Sequence, residues 1–182
     1  FDVVPDIMTT AKAVGGGVPV GAFLLTERVA KASLVAGDHG TTYGGNPLAG
    51  AAIEKVLELY EAKKLTDNVE KVGEYLYNEL EKVAASYDGI IEHRGVGLMQ
   101  GLEFDRPVAD IINKALEKGL VLINAGTNII RFLPPLVITK ENVDEMIERL
   151  RWDILYIENM SLQMDIKILI YTVLIVSDKD CT

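Results

Sequence analysis

A lysine set between small residues and followed by a glycine triplet is the first group in this chain that could do covalent chemistry. Lys12 stands in Pro5-Asp-Ile-Met-Thr-Thr-Ala-Lys-Ala-Val-Gly-Gly-Gly-Val-Pro19-Val-Gly21. Small neighbours allow an amine to be desolvated, which disfavours the ammonium and frees a nucleophile. Glycines just after it let a planar ligand approach the backbone. An aldehyde ligand would suit that setting. The same residues also fit a plain surface lysine on a strand-to-loop turn.

Two more segments could bind anions. In His39-Gly-Thr41-Thr42-Tyr43-Gly-Gly45-Asn46-Pro47-Leu-Ala49, two hydroxyls and several small-residue amides precede a helix start. That arrangement suits a phosphate or a carboxylate. It equally suits a glycine-rich turn whose threonines satisfy their own backbone. In Asn128-Ile-Ile-Arg131-Phe-Leu-Pro-Pro135-Leu, an arginine interrupts an apolar run. Buried there, it needs an anion, either a substrate carboxylate held bidentately or a protein carboxylate. Arg94, between His93 and a pair of nearby glycines, reads as structural. Two histidines far apart and one cysteine offer no metal-ligand cluster, so no metal is expected. The spacing of Gly15-Gly16-Gly17 is wrong for a dinucleotide loop.

The elements that must position these residues follow from periodicity. Residues 1–47 read as strand and loop, with Val18–Leu25 a buried strand and Glu27–Leu34 a short helix. From Pro47 the pattern turns helical, with Leu48, Ala52, Ile53, Val56, Leu57 and Tyr60 on one face. A second helix is predicted to start after Thr66 as its N-cap, with Val69, Val72, Leu76, Leu80 and Val83 facing a core. Strands are expected at 90–93, 98–104, 121–123 and 129–132, with a helix over 108–118. Thr139 should cap a helix carrying Val143, Met146, Ile147 and Leu150. This mixture predicts a small α+β domain. Ile168–Val176 is a nearly unbroken apolar run, too short to span a bilayer, and reads as a strand.

Composition narrows the function classes. The 182 residues are 49% hydrophobic and 25% charged, room for one domain or one and a half. Lys+Arg is 18 against Asp+Glu 27, a net charge of −9. An acidic balance without basic clusters argues against nucleic acid and against an anionic membrane surface. The lone Cys181 fits a reducing compartment, the cytoplasm. Phe1 opens neither a signal peptide nor, lacking Met, a natural start.

Taken in order, the three segments resemble the class-III aminotransferases, which depend on pyridoxal 5'-phosphate. The resemblance covers roughly residues 1–150 and is closest to the members acting on acetylornithine and ornithine. It implies an α/β chain: the C-terminal part of a fold-type-I aminotransferase, the end of a large domain plus a small α+β domain. Residues 1–60 would end the large cofactor domain and include its linking helix, and 61–150 would form the small domain. By the same resemblance Lys12 is the catalytic, cofactor-holding lysine. Thr42 binds the cofactor phosphate across a homodimer interface, Thr41 touches substrate, and Arg131 faces a substrate carboxylate or a gating glutamate. The implied reaction moves an amino group from N-acetylornithine, or a similar ω-amino donor, to 2-oxoglutarate in arginine biosynthesis. An ornithine or other ω-amino acid transaminase, and a non-catalytic remnant or dimerisation module, are the alternatives.

The sequence also departs from that pattern. The family's aspartate for the pyridine nitrogen, its phosphate-binding Gly-Thr segment, its ring-stacking aromatic and its substrate arginine upstream of the lysine are not in this sequence. The isolated chain is therefore expected to be inactive. Residues 151–182 depart from the family's ending, and a frameshift or an assembly scar is the expected origin of that atypical tail.

Overall fold

A computed structural model describes residues 2–158. It forms two compact units, Phe1–Thr66 and Asp67–Thr182. The first contains an antiparallel pair, β1 (Ile7–Ala11) and β2 (Gly21–Leu25), then helices α1 (Glu27–Ser33) and α2 (Pro47–Ala62). A short 3-10 turn, Lys12–Gly15, leads out of β1. The ladder closes with Thr10 opposite Ala22 and Ala11 opposite Gly21.

Strand β2 begins three residues later than the periodicity predicts. Val18 spends its N–H on the Gly15 carbonyl at 3.0 Å, and Pro19 has none to give, so pairing resumes only at Gly21. Helix α1 matches its expected span apart from its last residue. Helix α2 starts at Pro47 as expected, yet its apolar stripe is not buried: Leu48 is 72% and Leu57 54% exposed. Among residues 2–64, Gly15 alone is buried.

Helix α3 (Leu65–Ala84) begins before the predicted cap. Lys64 takes a left-handed backbone, φ 48°, which ends the turn from α2, and the buried Leu65 opens the new helix. Thr66 therefore lies inside the first turn rather than capping it. The second unit then lays down β3 (Ile90–Val96), β4 (Met99–Phe104), α4 (Ala109–Glu117), β5 (Ile123–Ala125), β6 (Ile129–Phe132) and α5 (Lys140–Glu158). The strands form one antiparallel sheet in the order β3-β4-β6-β5. Strand β5 sits two residues later than expected. Leu122 is buried as an anchor ahead of it, while Val121 stays exposed.

One face of this sheet is a core. Leu102, Phe104, Ile130 and Phe132 alternate inward and meet Leu76, Leu80 and Val83 of α3, Ile111 of α4, and Val143 and Leu150 of α5. Full burial of each large aliphatic contributes about 2 kcal/mol. The expected faces of α3 and α5 are those observed. Thr139 and Asn142 cap α5 reciprocally, the Asn142 N–H reaching Thr139 Oγ1 at 3.4 Å and the Thr139 N–H reaching Asn142 Oδ1 at 3.2 Å. The helix continues past Leu150, and Ile154 is fully buried in the same core. The apolar run Ile168–Val176 lies outside the described residues. No helix among the described residues is long and apolar enough to cross a membrane.

Helix α3 approaches the sheet most closely at Gly73. A Cβ there would sit 2.6 Å from the carbonyl carbon of Gly97, which turns β3 into β4 with φ 57°. Alanine is the better helix former by about 1 kcal/mol, but here the clash is with backbone and cannot be relieved by a rotamer. Gly73→Ala should therefore destabilise the unit, by about 1–3 kcal/mol, as a lower denaturant midpoint. A gain in stability would refute the close approach.

Tyr75 on α3 donates its hydroxyl to Asp144 Oδ1 of α5 at 2.5 Å, with Lys140 Nζ 4.8 Å from its ring centre. That hydrogen bond, aided by desolvation and by neighbouring carboxylates, pushes the phenol up to about 12. A raised phenol stabilises the fold fully below its unfolded value of about 10. The contribution is lost as pH rises from there through about 12. Alkaline absorbance titration should show one late-ionising tyrosine, absent in Tyr75→Phe.

Candidate active site

Lys12 sits where β1 leaves its ladder, and its backbone is left-handed, φ 59°. For a residue with a Cβ this costs on the order of 1 kcal/mol and persists only where the surroundings enforce it. Glycines on either side of the requirement are explicable. Gly15 is buried against Val20, whose Cγ2 would lie 2.7 Å from an added Cβ, and Gly16 closes the turn with φ 58°. Gly17, at φ 105°, has nothing within 4 Å and leaves the approach open. The Lys12 side chain is exposed. Residues of this chain thus do not supply the desolvation expected for it, because no apolar layer covers β1 at that point.

The threonines stand on the loop into α2. Asn46, a residue that the sequence reading passed over, organises them. Its side-chain oxygen accepts from Ala49 N at 2.9 Å and caps α2, while its amide donates to the Tyr43 carbonyl at 2.9 Å. Asn before Pro at a helix start is a signal for this role. Gly44 folds back under Thr41 so tightly that any Cβ would collide with the Thr41 methyl. Thr41 and Thr42 are both exposed. His39 is exposed as well, and packs edge-on against Phe23, ring centres 5.9 Å apart.

Arg131 belongs to the other unit. It was expected to be buried, and it is not: Ile130 and Phe132 face the core, so the pleat sends Arg131 to the outer sheet face, where it is exposed. Its cross-strand neighbours are Gly101 and Ile123. Gly101 also pairs with Arg94, so a glycine separates two arginines in one row. Arg94 is structural as expected, bridging Glu92 at 2.6 Å and Glu103 at 2.8 Å. The Arg94 hydrogen bond, with help from Asn128, holds the Glu103 carboxyl below the usual carboxylate range against desolvation. Glycine inside a strand marks a place of close approach, and Gly101 is the signal that sequence reading left unused.

Lys12, Thr41 and Thr42 therefore share one unit, and Arg131 lies in the other. The donor set, one exposed amine and two exposed hydroxyls beside open glycine backbone, fits an aldehyde that carries a phosphate.

The family model for Aminotransferase class-III matches residues 1–154. The chain belongs to the class-III aminotransferases. Among curated relatives of this family, acetylornithine aminotransferase of Methanocaldococcus jannaschii is 47% identical over 150 residues, which cover 82% of this chain and 37% of that protein. A [LysW]-aminoadipate semialdehyde/glutamate semialdehyde transaminase of Sulfolobus acidocaldarius is 39% identical, covering 87% and 41%. Among solved class-III folds, the ornithine delta-aminotransferase of Plasmodium falciparum superposes with a TM-score of 0.80 at 35% identity, covering 85% of this chain and 40% of that one. The chain thus spans about two fifths of the length of the relatives it matches. Its fold is α/β, part of a fold-type-I aminotransferase.

Asn46 is the residue on which the threonine loop depends. Asn46→Ala should cost α2 about 1 kcal/mol, seen as faster amide exchange in its first turn and around Tyr43. Exchange in the sheet of the second unit should stay unchanged; a uniform loss across both units would refute this local role.

Proposed function

We propose that this protein is the lysine-bearing part of a pyridoxal-phosphate-dependent transaminase that moves an amino group from N-acetylornithine, or a similar ω-amino donor, to 2-oxoglutarate. It would serve arginine biosynthesis in the cytoplasm, as a homodimer. The observation that carries the reading is Lys12, exposed on a left-handed turn between glycines, in a chain of the class-III family. In this reading residues 1–60 end the large domain and 61–150 form the small one.

Lys12 Nζ would hold the aldehyde of pyridoxal phosphate, and Thr42 would hold the phosphate of the site across the dimer. When bound, that cofactor supplies an electron sink for the charge left on the substrate Cα. Lys12 Nζ, placed beside that carbon, takes its proton as general base. Thr41 orients the donor through its hydroxyl. Arg131, exposed and flanked by Gly101, suits a carboxylate through paired N–H donors. The family's aspartate for the pyridine nitrogen and its phosphate-binding segment are not in this sequence, so the chain by itself is expected to turn over no substrate.

The test restores that complement. Residues 1–150 replace the matching segment of the Methanocaldococcus jannaschii relative, and glutamate formation from 2-oxoglutarate is followed with a panel of amino donors. Activity with N-acetylornithine, reduced by about three orders of magnitude or more in Lys12→Ala, is the expected result. Preference for ornithine or another ω-amine would move the substrate assignment. A folded chimaera with no turnover for any donor would mark the chain as a non-catalytic remnant.

A further inference from the structure

The left-handed backbone of Lys12 needs a cause, and the residues next to it name one. Lys12 opens a four-residue turn that ends at Gly15. Gly16 then closes the turn in the left-handed region, its N–H donating to the Ala13 carbonyl at 3.0 Å. Helix α2 crosses at this point. Val56 Cγ2 would come within 3.0 Å of any Cβ added to Gly16, closer than ordinary van der Waals contact allows. On the other side, Val20 fills the space beside Gly15 in the same way, at 2.7 Å. The turn is held between two valine side chains, and glycine is required at each contact. Gly15, the point between them, is buried although the residues around it are exposed or half-buried.

We infer that Val56 is a positioning residue for Lys12: its methyl, seated on Gly16, keeps the Lys12 turn in its strained conformation and so fixes the direction in which the lysine amine leaves the chain. Sequence periodicity placed Val56 on the apolar face of α2, where it would be one contact among several. The structure gives it a distinct task, because the rest of that stripe is exposed or only half-buried. The inference rests on the reading of Lys12 as the cofactor lysine only for its purpose; the mechanical coupling stands apart from any ligand.

Two measurements on the full 182-residue chain separate these. In the first, hydrogen exchange of the β1–β2 ladder compares Lys12→Gly with Lys12→Ala. Glycine relieves a left-handed position that alanine does not, so Lys12→Gly should exchange about five-fold more slowly. In a Val56→Ala background the turn can relax, and the difference should close. Alanine is a better helix former than valine, so α2 itself is retained, and its own amides report this. An unchanged difference in that background, or no difference to begin with, overturns the clamp.

In the second, the chain is incubated with pyridoxal phosphate, reduced with borohydride and mapped for labelled lysines. Wild type and the conservative Val56→Ile should label Lys12 in preference to surface lysines. Val56→Ala should lose that preference by about ten-fold, since misplacement of a reacting group by an ångström carries losses of this order or more. Equal Lys12 preference in Val56→Ala and wild type overturns the positioning role. A wild-type chain without any preference, with the exchange coupling intact, overturns the cofactor reading while supporting the clamp.

Discussion

The contact between helix α3 and the turn joining β3 to β4 sets how the second unit is built. Gly73 and Gly97 meet backbone to backbone, and Val69, one helical turn earlier, lies against the same glycine. That proximity draws Val72, Leu76, Leu80 and Val83 down onto the inner sheet face. It also brings a chain of polar groups into register at the margin of the core. Gln100, the buried polar residue, donates to the Gly97 carbonyl at 2.7 Å, which leaves its oxygen to accept from His93 Nε2 at 3.1 Å. His93 Nδ1 meets Glu81 of α3 at 2.5 Å, and its ring stacks on Tyr77 at 4.4 Å. A satisfied network of this kind specifies register, since a one-residue slip of β3 would turn His93 outward and strand Gln100.

The first unit is built on the opposite principle. Its apolar side chains, among them Val4, Met8, Phe23 and Leu48, are largely exposed, and its order is local. A hairpin ladder, the Asn46 cap and the Gly15–Val20 and Gly16–Val56 contacts hold the loop segments. These are the segments that carry the amine and the hydroxyls. Function on loops and turns, with packing left to the regular elements, is the usual division of labour. Here the division runs between units, because Arg131 is carried on the well-packed sheet and Lys12 on the lightly packed hairpin.

Much of this was legible in the residues. The helical stripes of α3 and α5 were readable because their apolar positions recur at 3.6-residue spacing and do face a core. Strand β6 was readable because Pro134 follows it and β-branched residues fill it. Errors gathered where tertiary contacts override local pattern. Pro19 and the Gly15 carbonyl delay β2, Leu122 acts as an anchor and shifts β5, and the Lys64 turn starts α3 ahead of Thr66. The stripe of α2 was seen correctly and its burial was not, since a pattern shows which face is apolar but not what covers it.

By itself, the sequence determined the chemistry on offer: an amine among small residues, two hydroxyls before a capped helix, an arginine in a strand, and the family that orders them. Those features are local, set by side-chain type and by the conformations that glycine and proline permit. Only the tertiary structure decided that Lys12 is held left-handed, that Arg131 points away from the core, and that Val56 bears on the turn beside Gly16. Such outcomes depend on contacts between residues far apart in the chain. Val56 and Gly16 are separated by a hairpin and a helix, and no local propensity records their meeting.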